Sequence, residues 1–238
     1  MDTNRFKKAA AFTLMETVIA IGVLAVLITA FMAVFGPATQ SIRRSINVQE
    51  ADRLVATLEK ELSILRDPSG SDKTAFDKAF EWIRGSGGDK VDNKLIMLYK
   101  YRGDPDDLRS DGTMAPYKNP KGLAGKDYVI QSMARLRNDS LFLEDLEALE
   151  GRVFAVKTRQ LIYKNNALAP VDEPGQIQGM TEGGKIASAN DYPDAVIAFT
   201  AEFYALPSNS KEYLKPGGIL KAKDLKKPVF TRNLGVRR

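Results

Sequence analysis

The stretch KKAAAFTLMETVIAIGVLAVLITAFMAVFG, residues 7–36, decides the architecture of this chain, because it has the composition of a membrane helix. No residue from Thr17 to Gln40 is charged. As a helix this run would span about 36 Å, and a bilayer core needs about 20 such residues. Glu16 lies at the start of the run, where an ordinary anchor would gain more from an apolar residue.

Two plain interpretations of this segment stay open. One is an uncleaved membrane anchor with an interfacial Glu16. The other is a secretory signal peptide, although its apolar core is usually only about 7–15 residues long. Gly36-Pro37-Ala38 is a weak small-x-small cleavage site for that interpretation. Neither interpretation gives the Glu16 carboxylate a partner.

A cut just before Phe12 would supply such a partner. The new α-amino group would be mostly charged at pH 7. It would lie one helical turn from Glu16, or beside the Glu16 of a neighbouring copy. An ammonium and a carboxylate attract strongly in a low-dielectric layer, and each is costly there alone.

The stretch KKAAAFTLMETVIAIGVLAVL resembles the leader and helix start of type IV pilins and type II secretion pseudopilins. In that family a short basic leader and a small residue, usually Gly, precede the cut. Ala11, Phe12, Thr13, Leu14 and Glu16 occupy the matching positions, with Ala11 in place of Gly. The resemblance covers about the first 40 residues. It implies cleavage by prepilin peptidase between Ala11 and Phe12, N-methylation of Phe12 and an assembly role for Glu16.

The flanking charges do not fix the topology, because each side of the apolar run offers three basic residues: Arg5, Lys7 and Lys8 before it, and Arg43, Arg44 and Arg53 after it. The resemblance implies a single-pass protein of the inner membrane. Its leader would be cytoplasmic and its head periplasmic, before entry into a filament. The implied partners are prepilin peptidase, other pilins or pseudopilins bound through the N-terminal helix, and the inner-membrane assembly platform.

An amphipathic pattern continues beyond the apolar run. Apolar residues recur at steps of three or four, with one gap, at Ile42, Ile46, Leu54, Leu58, Leu62 and Leu65. Asp67-Pro68 then predicts the helix end. We expect one helix from about Leu14 to Arg66, bent near Gly22 and near Gly36-Pro37, while two separate helices remain the alternative. The predicted segments are a leader at 1–11, a transmembrane and assembly helix at 12–37, its amphipathic continuation at 38–66 and a globular head at 67–238.

The head is predicted to be α+β. We expect helices at 73–84 and at 139–151, the second capped by Ser140. Strands are expected at 93–102, 152–165, 194–206 and 228–238, with 127–138 as either strand or helix and with loops at 103–125, 165–193 and 207–228. The alternating residues favour an antiparallel sheet packed on the long N-terminal helix, a pilin-like arrangement.

The sequence offers little catalytic chemistry. With no His and no Cys, it excludes a disulfide, a thiol nucleophile and a histidine-bearing metal site. It contains neither a G-x-G-x-x-G fingerprint nor a P-loop. A net charge of +5 from 35 basic and 30 acidic residues does not favour nucleic acid. We therefore expect that the protein is not an enzyme and binds no cofactor.

Two groups of carboxylates stand out. Residues 103–112, GDPDDLRSDG, are a weak calcium candidate through Asp104, Asp106, Asp107 and Asp111, although their spacing does not fit an EF-hand. A second acidic group is expected to form a solvated helix face: Glu144, Asp145, Glu147 and Glu150.

The expected function is therefore that of a structural subunit, a pseudopilin or minor pilin of a type IV pilus-like or type II secretion filament. The head is large and lacks the cysteine pair that staples many major pilins. By analogy with the family, both features favour a minor pilin or pseudopilin over the major fibre subunit. Pilus assembly, protein transport by secretion and DNA uptake all stay open. The alternative is a membrane-anchored periplasmic binding protein or enzyme of unknown substrate.

Overall fold

The computed structural model describes residues 13–66, 73–88, 92–180 and 184–238. Contacts divide the chain into two compact units, one ending at Ile46 and the other beginning at Asn47. The boundary falls inside the first helix, α1, which runs over Leu14–Ser63. The predicted cleavage site at Ala11 and Phe12 lies outside the described residues, and so does the predicted helix stop at Asp67-Pro68.

Helix α1 is continuous through Pro37, as predicted, and the alternative of two helices is not observed. It ends three residues before the predicted Arg66. Near this end the Lys78 ammonium group donates hydrogen bonds to the carbonyl oxygens of Glu61, at 2.8 Å, and Ile64, at 2.9 Å. A cation on the last carbonyl groups satisfies acceptors that would otherwise need another helical turn.

Only the later part of the predicted amphipathic stripe is buried. Within α1 the buried apolar residues are Ala51, Leu54, Val55, Leu58 and Leu62. Their spacing of three and four places them on one helix face. Ile42 and Ile46, expected on the same stripe, are 59% and 51% exposed. The face of α1 that enters the core therefore begins at Ala51.

Seven strands form one antiparallel sheet, which confirms the expected α+β class. The strands are β1 Ile96–Leu108, β2 Met114–Pro116, β3 Val129–Leu136, β4 Leu149–Lys164, β5 Ala167–Pro170, β6 Val196–Ala205 and β7 Phe230–Arg237. Their order is β2-β1-β4-β6-β7, with β3 also on β1 and β5 also on β4. The ambiguous segment 127–138 is thus a strand, and β2 and β5 arise inside predicted loops.

The sheet has a hydrophobic core on each face. The first face shares its core with α1 and with α2, Ala75–Ser86, through Ile96, Leu98, Phe154, Val156, Phe199 and Phe203. The second face shares its core with α3, Ser140–Asp145, and α4, Lys211–Leu214, through Met97, Tyr99, Val153 and Ala155. Strand β4 is therefore buried continuously over residues 153–158 instead of alternating. The second layer was not predicted.

The caps of the short helices explain where they begin. Thr74 and Asp77 form a capping box at α2: the Thr74 hydroxyl accepts from the Asp77 amide at 3.2 Å, and the Asp77 carboxylate accepts from the Thr74 amide at 2.7 Å. At α3 the cap is Asp139, which accepts from the Leu141 amide at 2.9 Å, so the predicted Ser140 cap is wrong by one residue. The helix predicted up to residue 151 is too long, because β4 begins at Leu149 to pair with β1.

Candidate functional site: the apolar segment of α1

The first part of α1 presents an entirely exposed apolar surface. Every residue from 13 to 46 is exposed. By length and composition α1 can cross a membrane, and none of its most apolar window is buried within the described structure. A secretory signal sequence meets the same criterion of length and composition. Because none of the window is buried, this segment differs from an apolar helix that fills the core of its own chain.

Thr13 organises the start of this helix. Its hydroxyl oxygen accepts a hydrogen bond from the Glu16 amide at 3.3 Å, and its carbonyl oxygen accepts from the Thr17 amide at 3.1 Å. A threonine at this position satisfies one of the amide groups that a helix start leaves unpaired. Glu16 itself lies in the first turn, where the positive end of the helix dipole favours a carboxylate.

The Glu16 carboxylate stands apart from every other polar group of this surface. It is the only charged residue between Phe12 and Ile42. It is exposed, and within the described ranges its side chain has neither an ion pair nor a hydrogen bond. The predicted assembly residue is therefore placed on an exposed helix surface, free to meet a charge from outside the described chain.

The threonine side chains of the apolar segment are satisfied within the helix. The hydroxyl groups of Thr17, Thr29 and Thr39 donate to the carbonyl oxygens four residues earlier, at 3.2, 2.8 and 3.0 Å. Such back-bonding removes the cost of a bare hydroxyl group in lipid. Glu16 is thus the feature of this surface that an apolar environment penalises most.

The structure separates the calcium candidates in the head. Asp104, Asp106 and Asp107 lie in β1, while Asp111 occupies the turn that follows. Asp111 pairs with Arg135 at 2.9 Å and accepts from the Thr113 hydroxyl at 2.6 Å. Burial alone would raise the pKa of Asp111, but these bonds outweigh it and lower the pKa. Over the described ranges no three acidic side chains are grouped as a metal site.

Asp145 corrects the prediction of a solvated acidic face. It is fully buried, and it accepts hydrogen bonds from the Tyr99 hydroxyl at 2.5 Å and from Arg109 at 2.7 Å. The Arg135 Nε atom lies 3.4 Å away. Burial raises the pKa of Asp145, while the bonds from Tyr99 and Arg109 oppose that rise. Glu144 fits the prediction, because it is exposed and pairs with Arg109 at the surface.

A buried arginine, Arg137, was not predicted from the sequence. Arg137 is fully buried at the end of β3. Its guanidinium donates to the carbonyl oxygens of Leu214 and Leu220, both at 2.8 Å, and of Lys215 at 2.7 Å. These bonds fix α4 and the following turn over the second face of the sheet. The sequence RLRN gives no local signal that this arginine is internal, because its partners follow more than seventy residues later.

Comparisons with known proteins identify no relative of this chain. The chain matches no family model, and no curated protein or solved structure gives a significant match. The residues around Glu16, and the exposed helix that carries them, are therefore the features that bear on function.

Proposed function

We propose that this protein is a pseudopilin or minor pilin, a structural subunit of a type IV pilus-like or type II secretion filament. Prepilin peptidase cleaves it between Ala11 and Phe12, and Phe12 is then methylated. The apolar segment of α1 holds it in the inner membrane, with the head on the periplasmic side, and later packs among neighbouring subunits. One observation carries the proposal: a single carboxylate, Glu16, on an exposed apolar helix and without a partner among the described residues.

The energetics favour an assembly role over an anchoring role. The helix dipole offsets only about 0.3–1 kcal/mol of the penalty on a carboxylate in lipid, so an anchor gains little by keeping Glu16. In a filament the same carboxylate can neutralise the Phe12 ammonium of a neighbour. Breaking such a buried pair costs about 3–5 kcal/mol, because the remaining charge stays unpaired. The residue is therefore costly in the monomer and useful only after association.

The head supports a structural role as well. Its buried charged groups serve internal contacts: Asp145 with two arginines, Asp111 with Arg135, and Arg137 with carbonyl oxygens. Groups that are saturated by internal partners are poorly suited to proton transfer or nucleophilic attack. A membrane-anchored enzyme or binding protein is the weaker hypothesis on this ground.

The first test is the mature N-terminus. The protein should be expressed with a prepilin peptidase, purified from membranes and measured by mass spectrometry. We expect loss of residues 1–11 and one added methyl group on Phe12. An N-terminus at Met1 would indicate an uncleaved anchor, and one at Thr39 would indicate a secretory signal peptide; either would refute the proposal.

The second test is Glu16→Leu. We expect this variant to insert, to be cleaved and to accumulate normally, but to be missing from sheared filaments and from cross-links between subunits. Thr17→Val is a matched control, because it also makes this turn less polar while keeping the carboxylate. Incorporation of Glu16→Leu at the wild-type level would show that the carboxylate has no role in assembly.

A further inference from the structure

The outer edge of β7 is open to another strand. Arg238 donates its amide to the Ala195 carbonyl at 2.9 Å, which sets the register of the ladder between β6 and β7. By the alternation of an antiparallel pair, the backbone groups of 231, 233, 235 and 237 then point away from β6. Within the described part of the chain none of them has a backbone partner, and all four residues are exposed. Such an edge is a template for strand addition.

This edge is strongly basic. Residues 221–238 contain seven Lys or Arg and one Asp, a net charge of +6. Arg232 and Arg237 of β7 are exposed, as are Lys226 and Lys227 just before it. None of these four has an ion pair among the described residues. Two β7 edges facing each other would bring like charges together, which costs free energy. The edge therefore discourages pairing with itself and favours an acidic strand.

The same head carries an exposed acidic strand at the far side of the sheet. Strand β1 pairs with β4 only as far as Tyr101 and then continues to Leu108. The segment 103–108, named here the β1 tip, holds Asp104, Asp106 and Asp107 without a basic residue. In the described structure β2 covers one edge of the tip, β3 pairs with the other edge at Gly103, and no strand pairs with that edge from Asp104 to Leu108. Pro105 lacks an amide donor, so any added pairing is short.

We infer that the β7 edge of one head binds the β1 tip of a second copy of this chain. Backbone hydrogen bonds would hold the strands together, and the arginines of one copy would face the aspartates of the other. The two surfaces differ and lie on different parts of the head, so the contact is heterologous and can repeat from copy to copy. The inference goes beyond the proposed function, because it uses the head alone and does not depend on leader cleavage.

Engineered disulfides can test this contact directly, because the chain has no cysteine. Two differently tagged full-length single variants, Asn233→Cys and Asp106→Cys, would be co-expressed and oxidised in membranes. We expect a mixed disulfide dimer, and a ladder of higher oligomers from the double variant. Glu173→Cys, an exposed acidic site elsewhere, replaces Asp106→Cys in the matched control and should give no mixed dimer. Absence of the Asn233–Asp106 dimer, or an equally abundant dimer from Asn233→Cys alone, would overturn the inference.

A charge exchange gives an independent readout. Arg232→Glu in the copy that carries Asn233→Cys should lower the cross-linked fraction about tenfold, because like charges then face each other. Asp107→Arg in the other copy should restore it. Both side chains are exposed, so neither change should alter folding by more than about 0.5 kcal/mol. A cross-linked fraction that neither substitution alters would show that charge pairing does not hold the two copies together. N-terminal mass spectrometry on the same membranes reports leader cleavage separately, so failure here is distinguishable from failure of the proposed function.

Discussion

Replacing Arg137 by methionine should loosen the layer that covers the second face of the sheet. The guanidinium is fully buried, and it bonds to the carbonyl oxygens of Leu214, Lys215 and Leu220. Methionine preserves most of the side-chain volume but donates no hydrogen bond. The freed carbonyl groups must then either stay unsatisfied or move into water together with α4.

The expected loss can be worked from these bonds. A hydrogen bond to a charged group contributes about 1.5–3 kcal/mol. Counting only the bonds to Leu214 and Leu220, which are buried, gives about 3–6 kcal/mol. Hydration of a displaced turn recovers part of this, so we expect about 3–4 kcal/mol of lost unfolding free energy. For a head of this size that corresponds to a fall in Tm of about 6–16 °C.

The assay combines thermal unfolding of the full chain in detergent with limited tryptic digestion. Cleavage of Arg137→Met should begin on and after α4, at Lys211 and Lys221, since the Lys215-Pro216 bond resists trypsin. Arg137→Lys keeps the charge but reaches fewer carbonyl groups, so its Tm should be intermediate. Arg53→Met, on an exposed face of α1, is the matched control and should melt like wild type. If Arg137→Met melts within about 2 °C of wild type with an unchanged digestion pattern, the reasoning is wrong.

Three further predictions concern the head. Asp145→Asn should lower the unfolding free energy by about 3 kcal/mol in denaturant titrations, because two arginines lose a buried counter-charge; an exposed Glu144→Gln change should cost much less. Hydrogen bonds from Thr74 lower the pKa of Asp77. The ionised Asp77 side chain therefore stabilises the folded head by about 0.5–1 kcal/mol relative to Asp77→Asn. This stabilisation is fully present above the ordinary aspartate pKa of about 3.9 and should vanish as the pH falls through the lowered pKa. Residues 47–238, expressed alone, should be folded and soluble, since the described core begins at Ala51; aggregated material would contradict this boundary.

The sequence predicts best what depends on neighbours along the chain. The continuity of α1 and the place of α2 both follow from local spacing and charge. The antiparallel sheet follows from alternation in the later strands. The extension of β1 beyond Arg102 was not predicted, because Pro105 and the neighbouring aspartates are typical of a loop, whereas pairing with β2 keeps this segment extended.

Burial of charged residues could not be predicted in the same way. Asp145 looks solvated in its own segment, and only its approach to Tyr99 and two arginines makes it internal. Arg137 is internal because α4 folds over it. The near-neutral balance of the whole chain also concealed the basic stretch at 221–238, which lies beside a single sheet edge.

The long helix has a consequence for the order of folding. The buried stripe of α1 shares one core with residues of β6 and β7, which follow it at the far end of the described sequence. Contacts so distant along the chain form slowly, on a scale of milliseconds to seconds for sheet-rich folds. Until they form, Leu54, Leu58 and Leu62 have no cover, and an uncovered apolar stripe invites aggregation. The newly synthesised head therefore passes through an interval in which a chaperone can capture it, and the rate of sheet closure sets the length of that interval.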